Sequence, residues 1–365
     1  MTHSRAPFYH WLDLFRFLAA ALVAVSHVRD IVLVDYPGEP LFLPFYALTG
    51  FGHSGVIVFF VLSGFWISRS VLNRLDRDGF WPSYLIDRLV RLEIVLLPAL
   101  LLGGLLDWAG MQMLQLPLYA GTSGSHSIAP DLASHFGAEV FTGNLAFLQT
   151  IIVPAWGSNG PLWSLANEFW YYLWFPALAL ALRKRRPGLA LLSLVVALAN
   201  PSILLGFASW LVGFALLKLL ERASPHPWQR FRLAVAASAL LGALLTASAI
   251  KLAVLDLPLA LAFGWFLYEL AQAEVPFPGW LARLARYGST SSFSLYAIHF
   301  PIAALVGGWL ARTGRLPPSP GSLALVLAVT ALCVAAGWLF SLASERHTAD
   351  LRRWLKQRLI PQPAD

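Results

Sequence analysis

Stretches of about 20 predominantly apolar residues, the length that crosses the hydrocarbon core of a bilayer, recur from one end of this chain to the other. Backbone groups inside hydrocarbon have no water to bond, so only helices and closed barrels span it. A barrel would show short segments of alternating polarity, and none is present. Of 365 residues, 58% are hydrophobic and only 12% charged, about half the charge of an average soluble domain. The chain therefore reads as all-α, a polytopic membrane protein of about ten transmembrane helices in one integral domain over 1–365. The spans are expected at 11–34, 53–73, 92–110, 163–182, 188–200, 202–220, 232–250, 252–270, 292–311 and 322–344.

Lys and Arg set the orientation, because cytoplasmic loops carry them in excess. The first apolar stretch lacks a small-residue cleavage site and is too long for a signal-peptide core, so it is expected to stay as the first helix. With the N-terminus inside, most of the 26 Lys and Arg fall on the cytoplasmic side, the run Arg183, Lys184, Arg185, Arg186 among them. Arg29, Lys251, Arg312 and Arg315 fall outside, and Arg16 lies within the first span. Both termini are thus expected in the cytoplasm, and the net charge of +7 is read as an orientation signal and not as a nucleic-acid surface. The tightest stretch is 188–220. A hairpin about Asn200 and Pro201 leaves a first limb of roughly 20 Å, shorter than the core. A single kinked helix would instead put the basic C-terminus outside. The long loop over 111–161 contains VFTGNLAFLQTIIVP, expected as a re-entrant or surface helix over the outer face. Cys333 is the single cysteine and lies in an apolar stretch, so no disulfide framework is expected.

Polar side chains inside these spans carry the functional signal. Arg16 and His27 are eleven residues apart, which places them within about 20° around the helix and about 16 Å apart along it. Arg16 is near enough to the helix end to snorkel, and His27 alone would suit a neutral imidazole bonded to a neighbour. Together they form one polar stripe across half the membrane. Ser63 and Ser68 flank Gly64 in the second span, where small residues also favour helix packing. Arg88 and Arg91 share one helical face just below the membrane. Their planar forks suit phosphate, though lipid headgroups attract the same residues. Glu168 is expected in the first turn of the fourth span, near the outer interface. His299 is expected about two turns in from the cytoplasm. Glu345 closes the last span beside Arg346 and is expected in a surface pair with it.

Taken together, these residues resemble the acyltransferase-3 family of integral membrane acyltransferases over nearly the whole chain. Arg16 to His27 matches its R-x10-H, SGFWIS at Ser63 to Ser68 its S-G-F-x-x-S, and RLVR at Arg88 to Arg91 its R-x-x-R. WSLANEFWYYLWFP is similar to its W-S-L-x-x-E pattern with Tyr171 in place of Phe, SLYAIH to its late S-x-Y-x-x-H, and Glu345 falls where the last helix carries a Glu. The resemblance implies transfer of an acyl group, commonly acetyl from cytoplasmic acetyl-CoA, to a hydroxyl of a carbohydrate or lipid-linked sugar. It further implies a multi-pass protein of the bacterial cytoplasmic (inner) membrane in contact with membrane lipids, with no nucleic acid partner and no metal. Arg16, Ser63, Ser68, Arg88 and Arg91 would bind the donor. His27 would be the general base, or the nucleophile of an acyl-histidine. Glu168 would orient His27 or bind acceptor hydroxyls, and His299 would bind the donor or stabilise the thioester oxygen.

Other readings share parts of this pattern. O-acylation of a small molecule such as a macrolide uses the same machinery. A proton-coupled secondary transporter also places Arg, His and Glu in the membrane, with inverted repeats that are not detectable here. A metal enzyme would need His27, His299 and Glu168 to converge on one ion at about 2 Å.

Overall fold

The computed structural model describes residues 6–129, 131–184, 197–224 and 227–360. Its helices are α1 (Ala6–Val32), α2 (Leu43–Thr49), α3 (Gly52–Leu72), α4 (Phe80–Trp108), α5 (Ala138–Leu145), α6 (Trp163–Lys184), α7 (Ser202–Glu221), α8 (Gln229–Ile250), α9 (Asp256–Gln272), α10 (Gly279–Leu310), α11 (Pro320–Ala343) and α12 (Thr348–Leu359). Among the described residues the only β pairing is two isolated bridges. Eight helical stretches among them are long and apolar enough to cross a membrane, the architecture of an all-α polytopic membrane protein.

These eight coincide with eight of the expected spans. The span expected at 163–182 forms α6, a helix of 22 residues, with a polar first half set by Asn167, Glu168 and a run of Trp and Tyr. The span expected at 188–200 lies outside the described residues apart from its last four, so the choice between hairpin and kinked helix lies there too. The chain on either side of it sits at opposite faces. Arg183 pairs with Asp76 at 2.7 Å beyond the end of α3, and Asn200 donates to the Thr150 carbonyl at 2.9 Å on the other side. Near α1's start, Arg69 donates to the Tyr9 hydroxyl. The first and last described helices therefore begin and end on one face, here termed the basic face.

Three elements differ from the hydropathy reading. The expected 92–110 and 292–311 belong to helices that begin at Phe80 and Gly279. Hydropathy marks only the length in hydrocarbon, while the backbone ladder continues into the amphipathic turns beyond it. Arg88 and Arg91 accordingly sit on α4 itself. The apolar stretch from Val140 is helical only to Leu145; tight turns follow, with φ of 56° at Phe147 and 61° at Thr150.

α1 lies at the centre and packs on α3, α10 and α11. α3 and α7 cross at two glycines, where a Cβ on Gly64 would meet the Trp210 carbonyl oxygen and one on Gly213 would meet the Val61 oxygen and Phe65 nitrogen. Small residues permit such backbone approach between membrane helices. α11 starts with a reciprocal cap: Ser319 N donates to Ser322 Oγ at 2.9 Å, and Ser322 N donates to Ser319 Oγ at 3.1 Å, with Pro320 at the first helical position.

α12 is clamped to the basic face by one buried acid. Asp87 on α4 gathers Arg74 at 2.8 Å, Lys356 at 2.6 Å and Arg352 at 3.7 Å. Asp87 is buried while its three cations reach solvent, so losing the acid removes the one anchor they share. Asp87→Ala is expected to release α12 and speed tryptic cleavage after Arg352 and Arg353. Cleavage at the native rate would show that the clamp does not hold the helix.

Candidate active site

The loop that enters α6 dives into the bundle. Ala155, Ser158, Asn159 and Leu162 are buried. Asp107 on α4 accepts hydrogen bonds from the Ser158 N–H and hydroxyl, both at 2.7 Å. Asn159 donates through Nδ2 to the Ala297 carbonyl at 2.8 Å, and Gln149 donates to the Leu162 carbonyl at 2.9 Å. The turn itself needs glycine: Gly157 has φ of +55°, and a Cβ there would meet Asp107 Oδ2. Hydrogen bonds to a charged group contribute about 1.5–3 kcal/mol each. Asp107→Ala is therefore expected to lower the melting temperature in detergent and reduce transfer together, and an unchanged melting profile would remove this anchor from the account.

Because the loop dives, α6 begins within the bundle. Trp163 packs edge-on to Phe60 and parallel to His53. Glu168 is reached from Ser63, about 16 Å along α3 from its first residue. The reading of Glu168 as an interfacial residue is thus corrected. The aromatic run of α6 that suggested an interface fills the interior, with Tyr171 against Phe60 and Phe207, and Phe175 against Trp210.

Two chambers lie along α1. The first, about 160 Å³, is lined by Arg16, Ser63, Arg88, Arg91, Glu168 and Tyr172 among others. A hydrogen-bonded series runs through its wall. Trp210 Nε1 donates to Ser63 Oγ at 3.2 Å, Ser63 to the Tyr172 hydroxyl at 3.5 Å, and Tyr172 to Glu168 Oε1 at 2.6 Å. The Arg88 guanidinium lies over the rings of Tyr84 and Tyr172, at 5.5 and 5.9 Å from their centroids. It has no carboxylate partner among the described residues, and its buried Nε has no hydrogen-bond partner. Arg16 lies within electrostatic reach of Asp13, Glu168 and Arg91.

Arg91 is engaged differently. Its Nη2 is 3.1 Å from Glu345 Oε1, and Ser294 donates to Glu345 Oε2 at 3.2 Å. The expected surface pair of Glu345 with Arg346 is replaced by this one, in which the carboxylate is buried, because the 3-10 turn Glu345–His347 after α11 carries Glu345 inward. Ser68 joins neither chamber: it is fully buried, and its hydroxyl has no hydrogen-bond partner among the described residues.

The second chamber, about 300 Å³, is lined by Ser26, His27, His53, Pro161, Trp163, Tyr296 and Phe300 among others. His27 stacks on His299, with centroids 5.4 Å apart and planes 30° apart, and meets the edge of Phe300. His299 is not the donor-side residue expected near the cytoplasm. It lies twenty residues into α10, fully buried behind His27, with Nδ1 at 2.8 Å from the Tyr296 carbonyl and Nε2 without a hydrogen-bond partner among the described residues. The long start of α10 causes this shift. His53 Nε2 is 2.8 Å from Asp256 Oδ1.

The eleven-residue spacing thus turns Arg16 and His27 toward successive cavities, not toward lipid. Glu168 and His27 occupy different chambers, and no hydrogen bond among the described residues joins them. Those residues contain no cluster of three His, Cys, Asp or Glu able to hold a metal. A family model described as an acyltransferase domain, acyltransferase-3, matches residues 9–342. The chain belongs to the acyltransferase-3 family. No curated protein and no solved structure matches it in the corresponding comparisons. As an acyltransferase-3 member it is a membrane acyltransferase.

Several residues of this candidate site were not singled out from the sequence. Asp107 had a signal, as an acid deep inside an apolar span. Tyr296 sits within SLYAIH, and Ser164 and Tyr172 within WSLANEFWYYLWFP. Their neighbours on other helices, which give them their places, are far away in sequence. The His53 and Asp256 pair joins residues 203 apart.

Proposed function

We propose that this acyltransferase moves an acetyl group from cytoplasmic acetyl-CoA to a hydroxyl of a cell-surface or secreted carbohydrate, free or lipid-linked. The basic face would then look into the cytoplasm of a bacterial inner membrane, as its Lys and Arg excess favours. One observation carries the reading: α1 presents Arg16 to a chamber with Arg88 and Arg91, and His27 to the next chamber along the same helix. CoA is a polyanion on a long thin arm that ends in a thioester. Cations in the chamber nearer the basic face and an imidazole about 16 Å deeper suit such a molecule entering thioester first.

In the transfer, the acceptor oxygen attacks the thioester carbonyl carbon. The new C–O bond forms as the C–S bond breaks. His27 takes the hydroxyl proton and returns it to the departing thiolate. A histidine is suited to both steps because its ordinary pKa lies near neutrality. His299, stacked behind, fixes the ring plane of His27. His53, held by Asp256, offers a polar partner to the incoming acceptor at the far wall. Glu168 and Tyr172 hold Ser63 and balance the chamber's positive charge on the donor side.

Purified protein in liposomes loaded with acceptor glycan and supplied with acetyl-CoA tests this reading. Free thiol and acetylated glycan should appear together. Substrate flux without thiol release would replace it with transport. Within the same assay, Arg88→Ala should raise the KM for acetyl-CoA by about 10–100-fold with kcat little changed, the loss of one charge-assisted contact of about 1.5–3 kcal/mol. An unchanged KM would leave Arg88 as an orientation signal.

A further inference from the structure

One side chain is shared by the Arg16 and His27 chambers. Tyr296 lines both chambers. On the same face of α10, Ser292 lines only the Arg16 chamber and Phe300 only the His27 chamber, the succession a four-residue spacing gives on a helix. The Tyr296 hydroxyl lies 2.6 Å from Ser164 Oγ and 2.8 Å from the Pro161 carbonyl oxygen. Ser164 lines the Arg16 chamber and Pro161 the His27 chamber, so these bonds sit at the boundary itself. Phe59 meets the ring edge-on at 5.7 Å.

We propose that Tyr296 is the threshold the acyl group crosses between the donor chamber and His27, with Ser164 as its latch. The space released when the ring turns then sets the size of acyl group admitted. This rests on the acyl-transfer reading above. Among the described residues Tyr296 is the one that lines both chambers, so a turn of its ring is the smallest movement that joins them. Its hydroxyl and that of Ser164 are exchangeable partners. As the ring turns, each can donate to the carbonyl oxygen of an arriving thioester, which replaces the bond they share. The ring's own backbone carbonyl is held by His299 Nδ1, the histidine stacked on His27, so threshold and reacting imidazole share one support.

The test places a cysteine beyond the threshold. Val23 lies on the α1 stripe between Arg16 and His27 and lines the His27 chamber. Val23→Cys, in a Cys333→Ala background, would be reacted with a charged, membrane-impermeant thiol reagent applied to the basic face of sealed vesicles. Slow labelling is expected with Tyr296 present, about tenfold faster labelling in Tyr296→Ala, and an intermediate rate in Tyr296→Phe and in Ser164→Ala. Tyr296→Phe keeps the ring's bulk, so it reports on the latch even where the alanine variant fails to fold. In parallel, Tyr296→Ala should raise kcat/KM for butyryl-CoA relative to acetyl-CoA by about tenfold. Equal labelling in all variants, or fast labelling with Tyr296 intact, would overturn the threshold. Variant-dependent labelling in a protein that never releases thiol from acetyl-CoA would instead overturn the acyl-transfer reading, and with it the passage of an acyl group.

Discussion

Replacement of His27 by Ala is expected to slow acyl transfer by about 10²–10⁴-fold and to leave acetyl-CoA binding close to native. The two effects separate because His27 lines its own chamber, away from Arg16, Arg88 and Arg91. The fold should survive, since His27 makes ring contacts to His299 and Phe300 and no hydrogen bond among the described residues. The measurement is thiol release at saturating acetyl-CoA beside an equilibrium binding titration. A retained rate would remove His27 as the base. If His53→Ala instead gave the larger loss, the proton would pass to the His53 and Asp256 pair. Radiolabelled donor without acceptor separates direct transfer from an acyl-histidine, which would leave label on the protein.

The second large effect is structural. Gly213→Val is expected to abolish the folded protein, because even its Cβ would meet backbone atoms of Val61 and Phe65 on α3. Backbone cannot rotate aside as a side chain can, so α3 and α7 would have to separate along their crossing. Overpacking a core costs about 1–3 kcal/mol and more where nothing can move. Ser63 and Trp210, which bond across this crossing at 3.2 Å, would part as well, and the Arg16 chamber would lose a wall. Gly242→Val on α8 is the control, since nothing lies within 4 Å of its Cβ position. A single sharp elution peak for Gly213→Val in detergent would contradict the close crossing, and a collapse of Gly242→Val would show that valine itself is the fault.

What the sequence revealed and what it concealed follow from the range of the forces involved. Eight of the spans were legible because each must satisfy the bilayer by its own composition. The stripe of Arg16 and His27 was legible because one helix fixes their geometry. Arg88 and Arg91 were legible as a pair for the same reason. Glu168 and His299 were misplaced in depth because depth depends on where a helix starts. α6 starts inside the bundle through the bonds of Asp107 to Ser158, and α10 starts thirteen residues before its apolar window. Neither fact is written in local hydropathy. The partner of Glu345 was missed because Arg346 is adjacent in sequence, whereas Arg91 is brought to it by packing between α4 and the end of α11.

The phenol between the chambers also bears on the bilayer that holds them. Two cavities set in succession along α1 thin the packing between them, and any cell depends on an unbroken insulating layer to store its ion gradients. A side chain whose hydroxyl is already satisfied offers a hopping proton or a hydrated cation no vacant site, while a neutral acyl chain can push it aside. Metabolic energy held across the membrane would thus survive each catalytic cycle.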